Sequence, residues 1–141
     1  MNGFLLDTNC ISEVVRVTPD QRVMEWFQTV EESLLFLSVL TFGEIRKGVA
    51  ALPQSRRRSR LETWLEAELR ARFSGRVLPI DAGVADRWGL LAAEARRKGR
   101  SLSVIDGLLA ATALHHNLTV VSRNVDDFLH TAVPVIDPWK S

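Results

Sequence analysis

Asp7, Glu44, Asp106, Asn124 and the pair Asp126-Asp127 are spread over a chain of 141 residues, yet each stands at the same kind of place. Asp7 ends the apolar run Phe4-Leu5-Leu6. Glu44 follows the run Leu34 to Val39, in the first turn of a helix. Asp106 lies in the first turn of a helix opened by Ser103. Asn124, Asp126 and Asp127 come just after Leu118 to Val121. If the apolar runs are strands of one sheet, all of these groups meet beyond its carboxyl ends, where open α/β sheets bind ligands. Carboxylates within about 4–6 Å of one another raise each other's pKa and destabilise the fold. A hard divalent cation removes that penalty. Mg²⁺ takes oxygen ligands, keeps several waters and suits a few carboxylates plus a phosphate. Such an ion acidifies a bound water and stabilises charge on a transferring phosphoryl group. No residue of the cluster is a covalent nucleophile with a base beside it, so attack by water is favoured.

Each acid also has a purely structural reading. Asp7 can cap a helix or turn. Thr41-Phe42-Gly43-Glu44 has the capping-box pattern, with Leu40 and Ile45 placed as a hydrophobic staple. Asp106 suits the positive end of a helix dipole. Asn124 is an ordinary loop residue. Their joint placement on one sheet edge is what favours chemistry.

The elements needed to position them are legible. Phe4 to Leu6 reads as a buried strand, then a loop, then a short helix near Ile11 to Val17. Asp20 caps a helix with Val23, Phe27 and Val30 as its inner stripe. Leu34 to Val39 is apolar almost throughout, as a strand buried on both faces is. The helix after it is expected to stop at Pro53. A long helix from about Ser55 to Phe73 carries the stripe Leu61, Trp64, Leu65, Leu69 and Phe73, and Glu66–Arg70 is its one attractive step in the series Glu62–Glu66–Arg70. Val77 to Ile80 fits an edge strand. Ala82 to Lys98 is a helix closed by Gly99, with Val84, Trp88, Leu91 and Ala95 inward. A helix runs from Ser103 to His116, where Asn117 stops it. Leu118 to Val121 is a strand, Asp126 to His130 a helical turn, and Val133 to Ile136 a last strand. Strands alternating with helices predict a single α/β domain, residues 1–141, with a mostly parallel central sheet flanked by helices.

Composition narrows the class further. Apolar residues make up 46% and charged residues 25%, as in soluble globular proteins. The net charge of +1 does not by itself announce a nucleic-acid binder. Of the 18 basic residues only Lys47, Lys98 and Lys140 are lysine. The Arg56-Arg57-Arg58 run with Arg60 is able to touch phosphates, or is simply a solvated helix start. A single cysteine, Cys10, allows no intrachain disulfide and fits a reducing compartment. No basic leader precedes an apolar stretch, and no run of apolar residues is long enough to span a bilayer. The expectation is a cytoplasmic protein without a membrane partner. His115 and His116 are adjacent and point apart, which argues against a shared metal. The four tryptophans are spaced as core or interface residues.

Four segments, in order, resemble the motifs of the PIN-domain family. They are Leu5-Leu6-Asp7-Thr8-Asn9; Ser38 to Gly48, containing Glu44; Ile105-Asp106-Gly107 to Ala113; and Val120 to Phe128, containing Asn124 and Asp127. The second is similar to the form seen in VapC-type toxins of toxin–antitoxin operons. The resemblance implies a PIN-like three-layer sandwich, dependence on Mg²⁺ or Mn²⁺, and endonucleolytic cleavage of an RNA substrate. It also implies neutralisation by a cognate antitoxin and a homodimer. Asp7, Glu44 and Asp106 carry over as metal-binding catalytic acids. Many relatives have an acid where this chain has Asn124, which leaves open whether Asn124, Asp126 or Asp127 completes the site.

Three other readings compete. A PIN nuclease acting in RNA processing has the same motifs. A catalytically dead PIN domain serving as a binding module is disfavoured by the intact triad. A phosphoacceptor signalling domain needs a lysine near the end of a late strand, and no lysine lies between Lys98 and Lys140.

Overall fold

The structure is a computed structural model and describes residues 2–140; Met1 and Ser141, the ends of the expected domain, lie outside the described residues. Five short strands, β1 (Phe4–Leu6), β2 (Leu35–Ser38), β3 (Val77–Leu78), β4 (Thr119–Val121) and β5 (Val135–Ile136), form one sheet in the order β3-β2-β1-β4-β5. Every pairing is parallel. The sheet is therefore wholly, not mostly, parallel, and β3 lies at its edge as Pro79 suggests.

Period-two alternation divides the strands between two cores. Leu6, Leu35, Leu37 and Val121 face one layer, which includes Cys10, Ile11, Val23, Ile45, Leu65, Leu69 and Phe73. Leu5 and Val120 face the other, with Leu109, Ala110, Ala113 and Phe128. The first layer holds α1 (Thr8–Val14), α2 (Gln21–Thr29), α3 (Val39–Ala50) and α4 (Arg56–Thr63), followed by the widened turns of Trp64–Leu69 and the short α5 (Arg70–Arg72). The second holds α6 (Ala82–Arg97) and α7 (Val104–His115). This is the three-layer arrangement expected from the alternation of strands and helices. Among the described residues, no helix is long and apolar enough to cross a membrane.

Several boundaries differ from the expected ones. No loop separates β1 from α1: the helix starts at Thr8, and Asp7 is its N-cap, accepting from the Thr8 N–H at 2.8 Å. The capping box does not form. The cap of α3 is Ser38, whose hydroxyl accepts from the Leu40 N–H at 3.1 Å. Thr41 thus falls inside the helix, fully buried, and its hydroxyl has no hydrogen-bond partner. Glu44 sits in the second turn rather than the first. The helix ends at Ala50, before Pro53. Glu66 pairs with Arg46 of α3 at 2.8 Å instead of with Arg70, whose guanidinium lies over the Phe42 ring. Arg46 is within reach because α3 and the Trp64–Leu69 segment are packed together. The long helix itself is interrupted by a π segment at Trp64–Leu69, with i→i+5 turns. The last strand shortens to Val135–Ile136.

Two glycine-type positions shape the ends. Asn117 has φ 57°, the left-handed conformation that stops α7. Gly107 lets α7 approach α6: a Cβ there would lie 2.9 Å from the Trp88 indole. That contact seats the first turn of α7, which carries Asp106.

The corrected cap has a measurable consequence. Ser38→Ala is expected to cost about 1 kcal/mol, the usual loss of a helix N-cap. Thr41→Val keeps the shape and removes a buried unsatisfied hydroxyl, so it is expected to be neutral or stabilising by up to about 1 kcal/mol. Urea unfolding of the two variants distinguishes them, since a working capping box at Thr41 gives the reverse order.

Candidate active site

Asp7 is the centre of the polar edge. Its backbone N–H extends the sheet by donating to Val121 O at 2.9 Å. Its side chain is nearly buried. One oxygen takes the Thr8 N–H, and the other takes the Ser122 hydroxyl at 2.7 Å. The register explains the meeting: Leu6 pairs with Val121, so the next residues, Asp7 and Ser122, lie side by side at the ends of β1 and β4. Ser122 is itself buried. Its hydroxyl oxygen also accepts from Asn9 Nδ2 at 3.3 Å and from the Asn124 N–H at 3.0 Å.

Glu44 reaches the same edge from α3. Its Oε1 accepts the Thr8 hydroxyl at 2.5 Å. Asp106 enters from the N-terminus of α7, where Ser103 is the cap. Ser103 accepts from the Asp106 N–H at 3.2 Å and donates its hydroxyl to Asp106 Oδ2 at 2.8 Å. Asn124, Asp126 and Asp127 lie on the exposed turn after β4, which coils as a short 3-10 helix over Val125–Phe128.

The electrostatics tie these groups together. Burial pushes the Asp7 carboxyl above its ordinary pKa; the Ser122 hydroxyl and Thr8 N–H oppose the rise, and the charges of Glu44 and Asp106 add to it. Asp106 is raised as well, first by burial, against the pull of its Ser103 hydrogen bond, and further by Asp127 and Glu44. Asp127, but not Asp126, is thus felt at Asp106. Among the described residues, none of Asp7, Glu44, Asp106 and Asp127 forms an ion pair with a basic side chain. Among the same residues, no three His, Cys, Asp or Glu side chains converge tightly enough to enclose an ion unaided. The set is all-oxygen, anionic and open, which suits a cation that keeps part of its water shell.

The structure therefore brings together Asp7, Glu44, Asp106 and Asp127. It leaves Asn124 tethered to Ser122 by its backbone, with no hydrogen bond from its amide among the described residues, and Asp126 outside the group. His115 and His116 lie against α6, away from this edge. Two polar residues of the site were not singled out from sequence, Thr8 and Ser122. Both immediately adjoin a strand-end motif residue, and a hydroxyl directly after a buried strand is the signal that marks Ser122.

A parallel sheet with an acidic cleft at its carboxyl edge defines a class, and comparison with known proteins specifies it. The PIN domain family matches residues 4–134. The chain is 38% identical over 135 residues to Toxin FitB of Neisseria gonorrhoeae, covering 96% of this chain and 97% of that one. It is 36% identical over 136 residues to VapC ribonuclease Y4jK of Sinorhizobium fredii, with 96% and 97% covered. Its structure resembles that of FitAcB from Neisseria gonorrhoeae, with a TM-score of 0.93 at 37% identity, over 98% of this chain and 99% of that one. It also resembles the DNA-bound VapBC from Salmonella typhimurium, with a TM-score of 0.81 at 27% identity, over 98% and 99%. The chain belongs to the PIN-domain family, in its branch of VapC-type toxins.

The raised carboxyls make stability depend on pH. A carboxyl whose pKa is raised by folding binds its proton more tightly in the folded chain than in the unfolded one. Metal-free protein therefore loses stability as pH rises from the ordinary value of 3.8 through the folded value. In EDTA at neutral pH, Asp7→Asn is expected to melt above wild type, and the gap is expected to close on acidification below that ordinary value. A variant that melts lower at neutral pH contradicts the repulsive cluster.

Proposed function

We infer that this chain is the ribonuclease toxin of a toxin–antitoxin pair, and that it hydrolyses RNA phosphodiester bonds with a divalent cation, Mg²⁺ or Mn²⁺, held by Asp7, Glu44 and Asp106. The observation that carries this reading is the group of carboxylates at the sheet's edge whose charges act on one another and which, among the described residues, no basic side chain pairs with. The relatives named as a ribonuclease and a toxin support the activity. The FitAcB and VapBC structures support a cognate antitoxin as partner. A homodimer and a cytoplasmic site of action belong to the same reading; the free, buried Cys10 fits a reducing compartment.

When bound, the cation neutralises the carboxylates and stabilises negative charge on the phosphate. The residues of the chain do the rest. Ser122 and the Thr8 N–H fix the two oxygens of Asp7, and Ser103 fixes Asp106. Thr8 holds Glu44 toward them. Asp7 and Asp106 would act as charged ligands: their raised carboxyl pKa values belong to the cation-free cluster, and a bound cation lowers them again. Asp127 borders this site beside Asp106 and completes it in place of Asn124, orienting water or the cation's shell.

Purified, antitoxin-free protein is expected to cut structured RNAs with Mg²⁺ or Mn²⁺ and to leave them whole in EDTA. Asp7→Asn and Asp106→Asn should abolish cleavage and keep the fold. Glu44→Gln should lose activity with little loss of stability, because an amide oxygen still accepts from Thr8. Asp127→Asn should be milder, about 10–100-fold, the range typical of outer-shell partners. Independently of turnover, millimolar Mg²⁺ should raise the melting temperature. A folded-state ligand at a hundredfold excess over Kd stabilises by about 2.7 kcal/mol. Wild-type cleavage by both Asn variants overturns the site.

A further inference from the structure

A groove leads away from the acid cluster. It begins at Thr8 and Glu44 as a pocket of about 300 Å³ and continues into a wider one of about 570 Å³ between the end of α1 and α4. Both stretches share Val15, Arg16, Arg57, Leu61 and Trp64, so they form one continuous path. Arg60 lines the wider end. The cations differ in status. Arg16 is bound to Glu13, and Arg58, one residue from Arg57, is tied to Leu52 O and Glu62. Arg57 and Arg60 are exposed and, among the described residues, have no acidic partner. They lie one helical turn apart on one face of α4, and nothing in the fold uses their charge. Trp64, the first residue of the π segment, is half-buried: it packs against the core and also lines both stretches of the groove.

We propose that this groove is the track for single-stranded RNA flanking the cut site, with Arg57 and Arg60 binding its phosphates and Trp64 offering a face on which a base stacks; the proposal rests on the ribonuclease reading above. Charge complementarity selects the occupant, because two unpaired guanidinium groups suit a phosphate chain. Continuity supports it: a strand lying along the arginines enters the site at Glu44. Cations beside a stacking platform are the general design for unpaired strands; here Arg57 and Arg60 stand in the outer stretch, which Glu68 also lines, and the stretch next to Glu44 is lined mainly by apolar residues such as Ile45, Val49 and Leu52.

The test uses the full-length, antitoxin-free chain and a short fluorescein-labelled single-stranded RNA, with EDTA present so that binding is read apart from cleavage. Arg57→Ala with Arg60→Ala should weaken binding several-fold. It should also flatten the dependence of log affinity on log salt by about 1.4, the loss of two single-strand phosphate contacts. Trp64→Leu, with folding checked by its melting curve, should weaken binding and leave the salt slope unchanged. Arg87→Ala with Arg96→Ala, exposed on α6 in the opposite layer, is the control for charge alone and should bind as wild type does. In Mg²⁺, the α4 double variant should show raised KM with kcat retained. If wild type cuts RNA but the α4 double variant binds it with unchanged affinity and salt slope, the track is overturned while the ribonuclease reading stands. If that variant keeps RNA binding but loses the copurifying antitoxin, the groove is a protein-docking surface and the track is likewise overturned. If the α6 control weakens binding equally, the effect is not local and the track fails.

Discussion

Negative charge concentrated at one end of a parallel sheet is the constraint on which the rest of this structure turns. Asp7, Glu44, Asp106 and Asp127 come from four separate stretches of chain, and no arginine or lysine among the described residues is paired with them. Burial and mutual repulsion both raise Asp7 and Asp106. A fold that tolerates this must hold the carboxylates with neutral donors, and it does so with hydroxyls and backbone N–H groups from Thr8, Ser103 and Ser122. Those donors orient the oxygens without cancelling the charge. On the proposed reading, the stability that this charge costs the metal-free protein is returned as affinity for a cation.

Much of this could be read from the sequence because buried parallel strands announce themselves. Phe4 to Leu6, Leu35 to Leu37 and Thr119 to Val121 are continuous apolar or β-branched runs, and the first and last are directly followed by polar residues of the site, Asp7 and Ser122. Asp20 and Ser103, with the left-handed stop at Asn117, mark helix ends in plain chemistry. The errors have one origin. Ser38 and Thr41 are both acceptable caps by local pattern, and the choice is made by where β2 stops pairing, with Leu37 opposite Val77 and Ser38 opposite Leu78. That is long-range information. The π segment at Trp64–Leu69 leaves no compositional mark either, because the same apolar stripe serves an α- or a π-helix. Ser122 escaped notice because its importance depends on β1 lying beside β4, which no local window contains.

The two helical layers divide the work. The layer with α6 and α7 is a support: Gly107 allows α7 to seat against Trp88, and the close packing fixes the direction of Asp106. The layer with α1, α3 and α4 is the one that opens to solvent, and the groove between these helices meets the acids at Thr8 and Glu44. Asp7 links the two functions. As the cap of α1 it sets where that helix begins, and through Ser122 it is tied to the strand that precedes the Asn124–Asp127 turn.

The central hydrogen bond from Ser122 to Asp7 spans 115 residues of sequence. β1 lies between β2 and β4, so its second neighbour is synthesised long after the first. Long-range pairings of this kind form late, after the cost of closing the intervening chain has been met. A growing chain that has not yet released Ser122 carries Asp7, Glu44 and even Asp106, but has neither the strand that backs them nor the hydroxyl that aligns them. The cutting edge is therefore assembled late where it is most dangerous: a ribosome making a cutter of RNA holds an unfinished edge until β4 and Ser122 have emerged.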